Sequence, residues 1–321
     1  MKTTRALIGK IDDSILDRLC RRGDGKLSAS AIVPVRREIS SASRPVRTRI
    51  KVAYLGPEGT FTHQAVLARF GSSADFVASQ TIDSVFDLVK NHTVDYAVLP
   101  VENTLQGVVG QTVDLLGKAG LPLIVDEIVT PINFVLASRC DTLDEIRRIY
   151  SKREAFPQCA KFLNQPALAR VEHVHSTSTA EAARQAASEP GGAALSPGIA
   201  ATMAGLPIRF RNVENNARNK TRFLVLGHRQ PERTGHDQTS VFGKVRNVVG
   251  GLVDLLRSFS DRGINLTRIE SRPMDDAVDF ESWFYINFDG HIDDEPVREI
   301  IAEHDMIWLG SFRRRDGGMP R

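Results

Sequence analysis

The sequence has few of the features that mark membrane, secreted or metal-dependent proteins. It contains no run of eighteen apolar residues, which excludes a membrane-spanning helix. Its three cysteines, Cys20, Cys140 and Cys159, are far apart and lack the CxxC or CxxxH spacing of zinc sites. Three thiols cannot all pair within one chain, so the pattern favours a reducing compartment. We therefore expect a cytoplasmic protein without a structural metal site.

Charge of one sign is in excess only near the amino terminus. The chain has 42 Lys and Arg against 39 Asp and Glu, a net charge of +3, and residues 1–50 hold 12 of the basic and 5 of the acidic residues. The rest of the chain is slightly acidic, with 42 − 12 = 30 basic and 39 − 5 = 34 acidic residues. No aromatic residue lies within the basic segment, so we expect no nucleic-acid partner.

The length and composition are those of a folded protein with more than one domain. At about 150 residues per domain, 321 residues predict two domains. Hydrophobic residues make up 41% of the chain and 24 glycines accompany them, which excludes a largely disordered or fibrous chain. A chain of this size can bury a sizeable core without a metal or a disulfide.

The first 49 residues predict a helix and a linker. Apolar residues recur every four positions from Leu7 to Leu19, which predicts an amphipathic helix over residues 5–22. Residues 28–49 are rich in Ser and Arg and have little apolar periodicity, which indicates a linker. The acidic residues before this linker are not typical of a transit peptide.

From Ile50 onward, short strand-like runs alternate with segments of helical spacing. This alternation predicts an α/β sheet covered by helices on both faces, with sites in the loops that follow the strands. The predicted strands are residues 51–55, 96–100, 123–125, 133–137, 171–175, 193–195 and 224–227.

Five polar stretches mark the candidate loops. In order, they are GPEGTFT (56–62), LPVENT (99–104), YSKREAFPQC (150–159), STSTAE (176–181) and NKTRF (219–223). The first places glycines and Thr60 ahead of a helix, where an anion is attracted but where ordinary capping is, for this stretch alone, the better explanation. Ser151 is a candidate helix cap, and Ser178 with Glu181 matches a capping box. Taken one at a time, none of these stretches identifies a reaction.

Taken together, the five stretches, with the fourth taken as STAEAA (178–183), resemble the signature segments of prephenate dehydratases, in matching order and approximate spacing over residues 51–229. The resemblance implies an α/β catalytic domain of two lobes, similar to a type 2 periplasmic-binding protein, with the active site in the cleft between them. It implies that prephenate loses carbon dioxide and its ring hydroxyl to become phenylpyruvate. It also implies that neither a cofactor nor a metal is needed.

The resemblance carries over to individual residues. The family's catalytic threonine corresponds to Thr221, which we interpret as a hydrogen-bond donor to the leaving oxygen, because a hydroxyl is a weak acid. The planar guanidinium of Arg222 fits a carboxylate. The implied catalytic residues are Thr221, Arg222, Phe223, Glu102 and Asn103, and the implied substrate-binding residues are Thr60, Ser151, Gln158, Ser178 and Thr179. Where many members read Ser-His-Pro-Gln-Ala, this chain reads SKREA at residues 151–155.

Residues 237–315 predict a second domain with the order βαββαβ, the ferredoxin-like arrangement. Its predicted strands cover 239–246, 264–269, 282–288 and 307–312, and its predicted helices cover 252–259, closed by Gly263, and 296–304. This region resembles an ACT domain, which implies a phenylalanine effector site and a homodimer or homotetramer. The implied effector-binding residues are Gly251, Leu252, Val253, Asn265, Leu266, Glu270, Ser271, Arg272 and Pro273, although the family usually has Gly-Ala-Leu where this chain has Gly251-Leu252.

The resulting hypothesis is a phenylalanine-regulated prephenate dehydratase with three segments. Residues 1–49 resemble a shortened chorismate mutase helix with its linker, 50–229 form the catalytic domain, and 237–315 form the regulatory domain. The expected ligands are prephenate and phenylalanine, without a cofactor. Two alternatives stay open, an arogenate dehydratase and a non-catalytic phenylalanine sensor; retention of the T-R-F triplet argues against the sensor.

Overall fold

The computed structural model describes residues 29–42, 49–117, 122–245, 248–273 and 282–315. Its strands form three sheets, two in residues 51–227 and one in residues 237–313. The predicted helix over residues 5–22 lies outside the described residues. Within the described residues, no helix combines the length and the apolarity that a membrane crossing requires.

The helices, in chain order, are α1 (Ala29–Ala42), α2 (Phe61–Phe70), α3 (Ile82–Lys90), α4 (Gly110–Leu116), α5 (Ala155–Gln158), α6 (Ala160–Leu163), α7 (Thr179–Ser188), α8 (Gly198–Met203), α9 (Gly251–Asp261) and α10 (Glu295–Glu303). The strands are β1 (Lys51–Leu55), β2 (Asp75–Ser79), β3 (Tyr96–Asn103), β4 (Gly107–Val108), β5 (Leu123–Pro131), β6 (Val135–Ser138), β7 (Arg148–Ser151), β8 (Glu172–His175), β9 (Gly192–Ser196), β10 (Ile208–Arg211), β11 (Lys220–Gly227), β12 (Asp237–Lys244), β13 (Leu266–Pro273), β14 (Ser282–Asp289) and β15 (Ile307–Arg313).

The first lobe is built on the sheet β2-β1-β3-β11-β5, with the short β4 paired to β3. β1, β2 and β3 are parallel, whereas β11 is antiparallel to both β3 and β5. The carboxyl ends of β1, β3 and β5 and the amino end of β11 therefore lie at the same end of this sheet. Residues from these four strand ends can contribute to one site.

The second lobe is built on the sheet β10-β6-β9-β7-β8, in which β7, β8 and β9 are parallel. The chain passes between the lobes twice, from β5 to β6 and from β10 back to β11. This double crossover gives the two-lobed α/β arrangement that the family resemblance implied.

The carboxyl-terminal sheet has the order β13-β14-β12-β15, with every pair antiparallel. Together with α9 and α10 it forms βαββαβ, which confirms the ferredoxin-like prediction. Gly263, with a φ of +65°, follows the end of α9 as the sequence predicted.

This third sheet shares a hydrophobic core with the first lobe. The cluster joins Val113 and Leu116 of α4 to Phe242 of β12 and Phe312 of β15. At Gly310, a Cβ atom would lie 2.2 Å from the carbonyl oxygen of Ile124, so the two backbones approach too closely for any side chain.

The predicted linker over residues 28–49 is wrong over residues 29–42, which form α1, with Pro34 inside the helix. Tertiary contacts hold α1. Both Ser72 N–H and Ser72 Oγ donate to the Glu38 carboxylate, at 3.0 and 2.5 Å, and Ser73 N–H donates to Ser41 Oγ at 3.1 Å. Local composition does not reveal a helix that is stabilised in this way.

Four short strands, β2, β4, β7 and β10, were not predicted. β2 and β10 are sheet edges, β4 pairs with β3, and β7 lies next to the edge strand β8; three of the five residues of β2 are exposed. NKTRF was expected to precede a strand, but β11 begins at Lys220, so Thr221, Arg222 and Phe223 lie inside it.

Candidate active site

Thr221 and Asn103 are paired across neighbouring strands and share a direct hydrogen bond. Asn103 Nδ2 donates to Thr221 Oγ1 at 2.9 Å. The orientation of the Asn103 amide is fixed by backbone groups, because a backbone N–H can only donate and a carbonyl oxygen can only accept a hydrogen bond. Asn103 Oδ1 accepts from the backbone N–H groups of Leu105 and Gln106 at 2.9 and 3.1 Å, and Nδ2 lies 3.2 Å from the Lys220 carbonyl oxygen. Thr221 Oγ1 is therefore an acceptor here, and its own proton remains available for another acceptor.

Arg222 is not brought together with Thr221. Its guanidinium binds the carboxylate of Glu127 and lies 3.6 Å from that of Glu102. Glu102 also pairs with Arg268 of the carboxyl-terminal domain, and Glu127 accepts from the Arg315 N–H at 2.6 Å. The carboxylates held by Arg222 are thus the protein's own, and the catalytic roles implied for Arg222 and Glu102 stay predictions.

Phe223 is a core residue in this structure. It is 2% exposed and packs in a cluster with Val52, Tyr54 and Val66. Its contacts support the strand that carries Thr221.

Asn219 links the first lobe to the second. It is 1% exposed, and its Oδ1 accepts from Asn103 Nδ2 at 2.9 Å while its Nδ2 donates to Gln158 Oε1 at 2.8 Å. Gln158 in turn donates from Nε2 to the Glu154 carbonyl oxygen at 2.8 Å. The structure therefore brings three of the predicted residues, Asn103, Thr221 and Gln158, into one network.

The amino-terminal ends of α2 and α7 meet across the cleft. Thr60 Oγ1 accepts from the His63 N–H at 3.3 Å, and Ser178 Oγ accepts from the Glu181 N–H at 3.0 Å, so both residues are helix caps. A Cβ atom at Gly59 would lie 3.2 Å from Ala180 Cβ, which shows how closely the two helices approach. The amino-terminal end of a helix carries a partial positive charge, so both ends attract an anion.

Three further residues of the second lobe, Glu181, Ser151 and Thr179, have mainly structural contacts. The capping box is only half formed, because the Glu181 carboxylate pairs with Arg184. Ser151 does not cap a helix, since it ends β7 with its hydroxyl buried and donating to the Leu195 carbonyl oxygen at 2.6 Å. Thr179 is the buried first residue of α7.

Two residues at the candidate site, His63 and Asn219, were not among the site residues predicted from the sequence. His63 is 7% exposed, accepts from the Gly59 N–H at Nδ1 over 3.1 Å, and stacks on Tyr54. Burial lowers the pKa of His63, which favours the neutral ring that this acceptor role requires. Asn219 lies within the NKTRF stretch, so the motif could have identified it as a site residue. For His63, the sequence offers only its position three residues after Thr60.

The predicted effector residues lie at two ends of the carboxyl-terminal domain. Lys244, the last residue of β12, and Arg272 of β13 both pair with Trp283 of β14, so they lie at the same end of the sheet. Gly251 follows β12 in the chain at this end. The Arg272 guanidinium makes two hydrogen bonds to Asp114, at 2.6 and 2.7 Å. Asn265 and Leu266 lie at the other end of β13, about 20 Å away at 3.3 Å per residue.

Within the same region, Leu252 and Val253 are exposed and alternate residues of β13 differ in environment. Leu252 is 38% and Val253 is 55% exposed. Glu270 is half-buried, whereas Ser271 and Pro273 are exposed. Among the described residues, no group of three or more His, Cys, Asp or Glu could hold a metal ion.

Comparison with known proteins identifies both domains. The family model for prephenate dehydratase matches residues 52–231, and the ACT domain model matches residues 240–305. A bifunctional chorismate mutase/prephenate dehydratase of Aquifex aeolicus is 38% identical over 279 residues, which cover 87% of this chain and 76% of the relative. A prephenate dehydratase of Amycolatopsis methanolica is 36% identical over 278 residues, which cover 83% of this chain and 90% of the relative.

Solved structures show the same fold. Prephenate dehydratase of Arthrobacter aurescens, in complex with L-Phe, superimposes with a TM-score of 0.77 at 30% identity, covering 85% of this chain and 92% of that one. GqqA, described as a novel type of quorum quenching acylase, superimposes with a TM-score of 0.74 at 25% identity, covering 83% of this chain and 98% of that one. The fold alone thus does not fix the reaction, and the site residues must decide it. By its matching domain model and its relatives, the chain belongs to the prephenate dehydratase family and carries a carboxyl-terminal ACT domain.

Proposed function

We propose that this protein converts prephenate to phenylpyruvate, with release of carbon dioxide and water. The observation that carries this proposal is the hydrogen bond from Asn103 Nδ2 to Thr221 Oγ1, 2.9 Å long, whose direction is fixed by the backbone around Asn103. It makes Thr221 an acceptor towards the protein and a donor towards a ligand. A donor is what a departing hydroxyl needs.

The reaction breaks two bonds of the substrate. The bond from the ring to its carboxylate carbon breaks as carbon dioxide leaves, and its electron pair enters the ring. The bond from the ring to its hydroxyl oxygen breaks at the opposite carbon, and the departing hydroxyl takes up one proton, supplied by the solvent, to become water. The ring becomes aromatic, so stabilisation of charge on the leaving oxygen is the main task of the protein.

The two carboxylates of prephenate require positive potential in the cleft. The N-termini of α2 and α7, capped by Thr60 and Ser178, supply it from opposite lobes. Binding between two lobes also excludes water, which strengthens a hydrogen bond to the leaving oxygen. On this basis we keep Thr60, Ser178 and Thr179 as substrate-binding candidates.

Regulation and assembly extend the same proposal. We infer that phenylalanine binds the ACT domain and inhibits the enzyme, as the complex of the Arthrobacter aurescens relative with L-Phe suggests. The division into a catalytic domain of residues 50–229 and a regulatory domain of residues 237–315 is supported by the matched ranges 52–231 and 240–305. We also propose that the protein is cytoplasmic and forms a homodimer or homotetramer.

An assay of the purified protein tests the function directly. Phenylpyruvate should form from prephenate, and millimolar phenylalanine should slow its formation. Arogenate, which has an amine in place of the keto oxygen, should be a poorer substrate; faster turnover of arogenate would instead identify an arogenate dehydratase. Phenylalanine binding without turnover of either substrate would identify a sensor.

A further inference from the structure

Three amide side chains form a hydrogen-bonded chain that crosses the cleft and ends at Thr221. From the second lobe it runs from the Glu154 carbonyl oxygen through Gln158, Asn219 and Asn103 to Thr221 Oγ1, with donor-to-acceptor distances of 2.8 to 2.9 Å. Asn219 stands at its centre and is the most buried of the three amides, at 1% exposure.

The direction of each hydrogen bond in this amide chain is fixed from its second-lobe end. The Glu154 carbonyl oxygen can only accept, so Gln158 must turn Nε2 towards it and Oε1 towards Asn219. Asn219 must then present Nδ2 to Gln158 and Oδ1 to Asn103.

An independent contact gives Asn219 the same orientation. The Lys220 N–H donates to Thr104 Oγ1 at 3.0 Å, so the Thr104 hydroxyl proton is directed away from Lys220. That hydroxyl lies 3.3 Å from Asn219 Oδ1, which therefore accepts from Thr104 as well as from Asn103.

We propose that Asn219 is a positioning residue for the dehydratase reaction, a role that rests on the proposed function. Its Oδ1 accepts from Asn103 Nδ2 and so adds to the backbone contacts that keep Nδ2 facing Thr221, and its Nδ2 joins this network to Gln158 of the opposite lobe. The hydrogen bond that leaves the Thr221 proton available for the ligand is thereby connected to the second lobe.

Loss of Asn219 should lower turnover more than it lowers substrate affinity. We expect Asn219→Ala to reduce kcat by about tenfold, the effect of one misplaced neutral hydrogen bond, while KM changes by less than about threefold. Asn216→Ala is the matched control, because Asn216 lies on the same loop, is exposed, and makes its side-chain contact with the Arg218 N–H. This control should keep the wild-type kcat and melting temperature.

Two further variants separate positioning from general support of the fold. Asn219→Asp keeps an acceptor for Asn103, so it should recover part of the kcat lost in Asn219→Ala, while its negative charge raises KM for the dianionic substrate. In a Thr221→Ala background, Asn219→Ala should cost less than twofold in kcat, because the group that it positions is already gone.

The outcomes distinguish this role from the function itself. Wild-type protein without activity on prephenate would overturn the proposed function, and the role of Asn219 with it. An active wild type with an equally active Asn219→Ala variant would overturn only the positioning role. A kcat for Asn219→Asp no better than that for Asn219→Ala, or a full tenfold loss in the Thr221→Ala background, would also overturn it.

Discussion

The side chains of Thr221 and Arg222, consecutive residues of β11, leave opposite faces of the sheet. Phe223 and Val225 lie on the same face as Thr221 and pack in the cluster with Val52 and Tyr54. Leu224 lies on the same face as Arg222 and belongs to the core shared with the carboxyl-terminal domain. One short motif therefore serves two places, the cleft through Thr221 and the domain boundary through Arg222.

Replacement of Thr221 should affect turnover. We expect Thr221→Ala to lower kcat by roughly 10²-fold with little change in KM, because a donor to the leaving oxygen acts in the transition state. Steady-state kinetics on prephenate measure both values. Thr202→Ala, which removes an exposed hydroxyl bonded within α8, is the control. Wild-type turnover in a folded Thr221→Ala variant would remove Thr221 from the reaction.

Replacement of Arg222 should affect stability first. The Glu127 carboxylate is only 1% exposed, so Arg222→Ala leaves a buried charge without its main partner and should cost about 3–5 kcal/mol in the free energy of unfolding. Denaturant unfolding measures this loss, and the double variant Arg222→Met with Glu127→Gln should recover part of it. A raised KM with unchanged stability would instead mean that Arg222 binds substrate directly.

Asp126 should make stability depend on pH in the acidic range. Burial alone would raise the pKa of this carboxyl, but Arg69 and Arg315 outweigh burial and lower it. A carboxyl with a lowered folded pKa stabilises the protein above its unfolded pKa of about 3.9, and the stabilisation is lost as the pH falls through the folded pKa.

Asp126→Asn should therefore lower the melting temperature at pH 7 and make it less sensitive to pH below about 4. Melting curves between pH 2 and 7 measure this difference. Asp141→Asn is the control, since the Asp141 side chain is 87% exposed in its pair with Arg209 and should contribute little. Parallel pH profiles for wild type and Asp126→Asn would contradict the expectation.

The Arg272–Asp114 pair should transmit the effect of phenylalanine. It joins β13 to α4 of the first lobe, and the guanidinium lies so close to Gly110 that a Cβ atom there would come within 2.6 Å of it. Asp114→Asn should leave phenylalanine binding intact but weaken inhibition, within the roughly 5–150-fold range typical of allosteric coupling.

Calorimetry and inhibition assays together test this coupling. Gly251→Val should abolish phenylalanine binding itself, because Gly251 begins α9 where a close backbone approach to the ligand is expected. Undiminished inhibition in Asp114→Asn would show that another contact carries the signal. Normal binding in Gly251→Val would refute the placement of the effector site.

Removal of residues 1–45 should leave dehydratase activity intact and lower the melting temperature. The candidate site lies after Ile50, but α1 contributes Glu38 and Ser41 to the turn after α2. Assays and melting curves of the shortened protein measure both effects. Loss of activity in a folded protein would show that the removed segment completes the site.

The sequence by itself determined the fold class, the βαββαβ order of the carboxyl-terminal domain and the polar stretches that form the site. These features depend on local patterns, such as the spacing of apolar residues after Gly251 and the order of residue types around Thr60, Asn103 and Thr221. Such patterns survive without knowledge of the neighbouring elements.

Only the tertiary structure decided which member of a motif faces the cleft. Strand β11 begins at Lys220 because β3 and β5 pair with it on both sides, and that pairing, not the composition of NKTRF, sends Thr221 and Arg222 to opposite faces. The contacts of Arg222 with Glu127, of Arg272 with Asp114, and of Asn219 with Gln158 join residues that are 61 to 158 positions apart. No local pattern encodes such contacts, because chain packing alone brings these residues together.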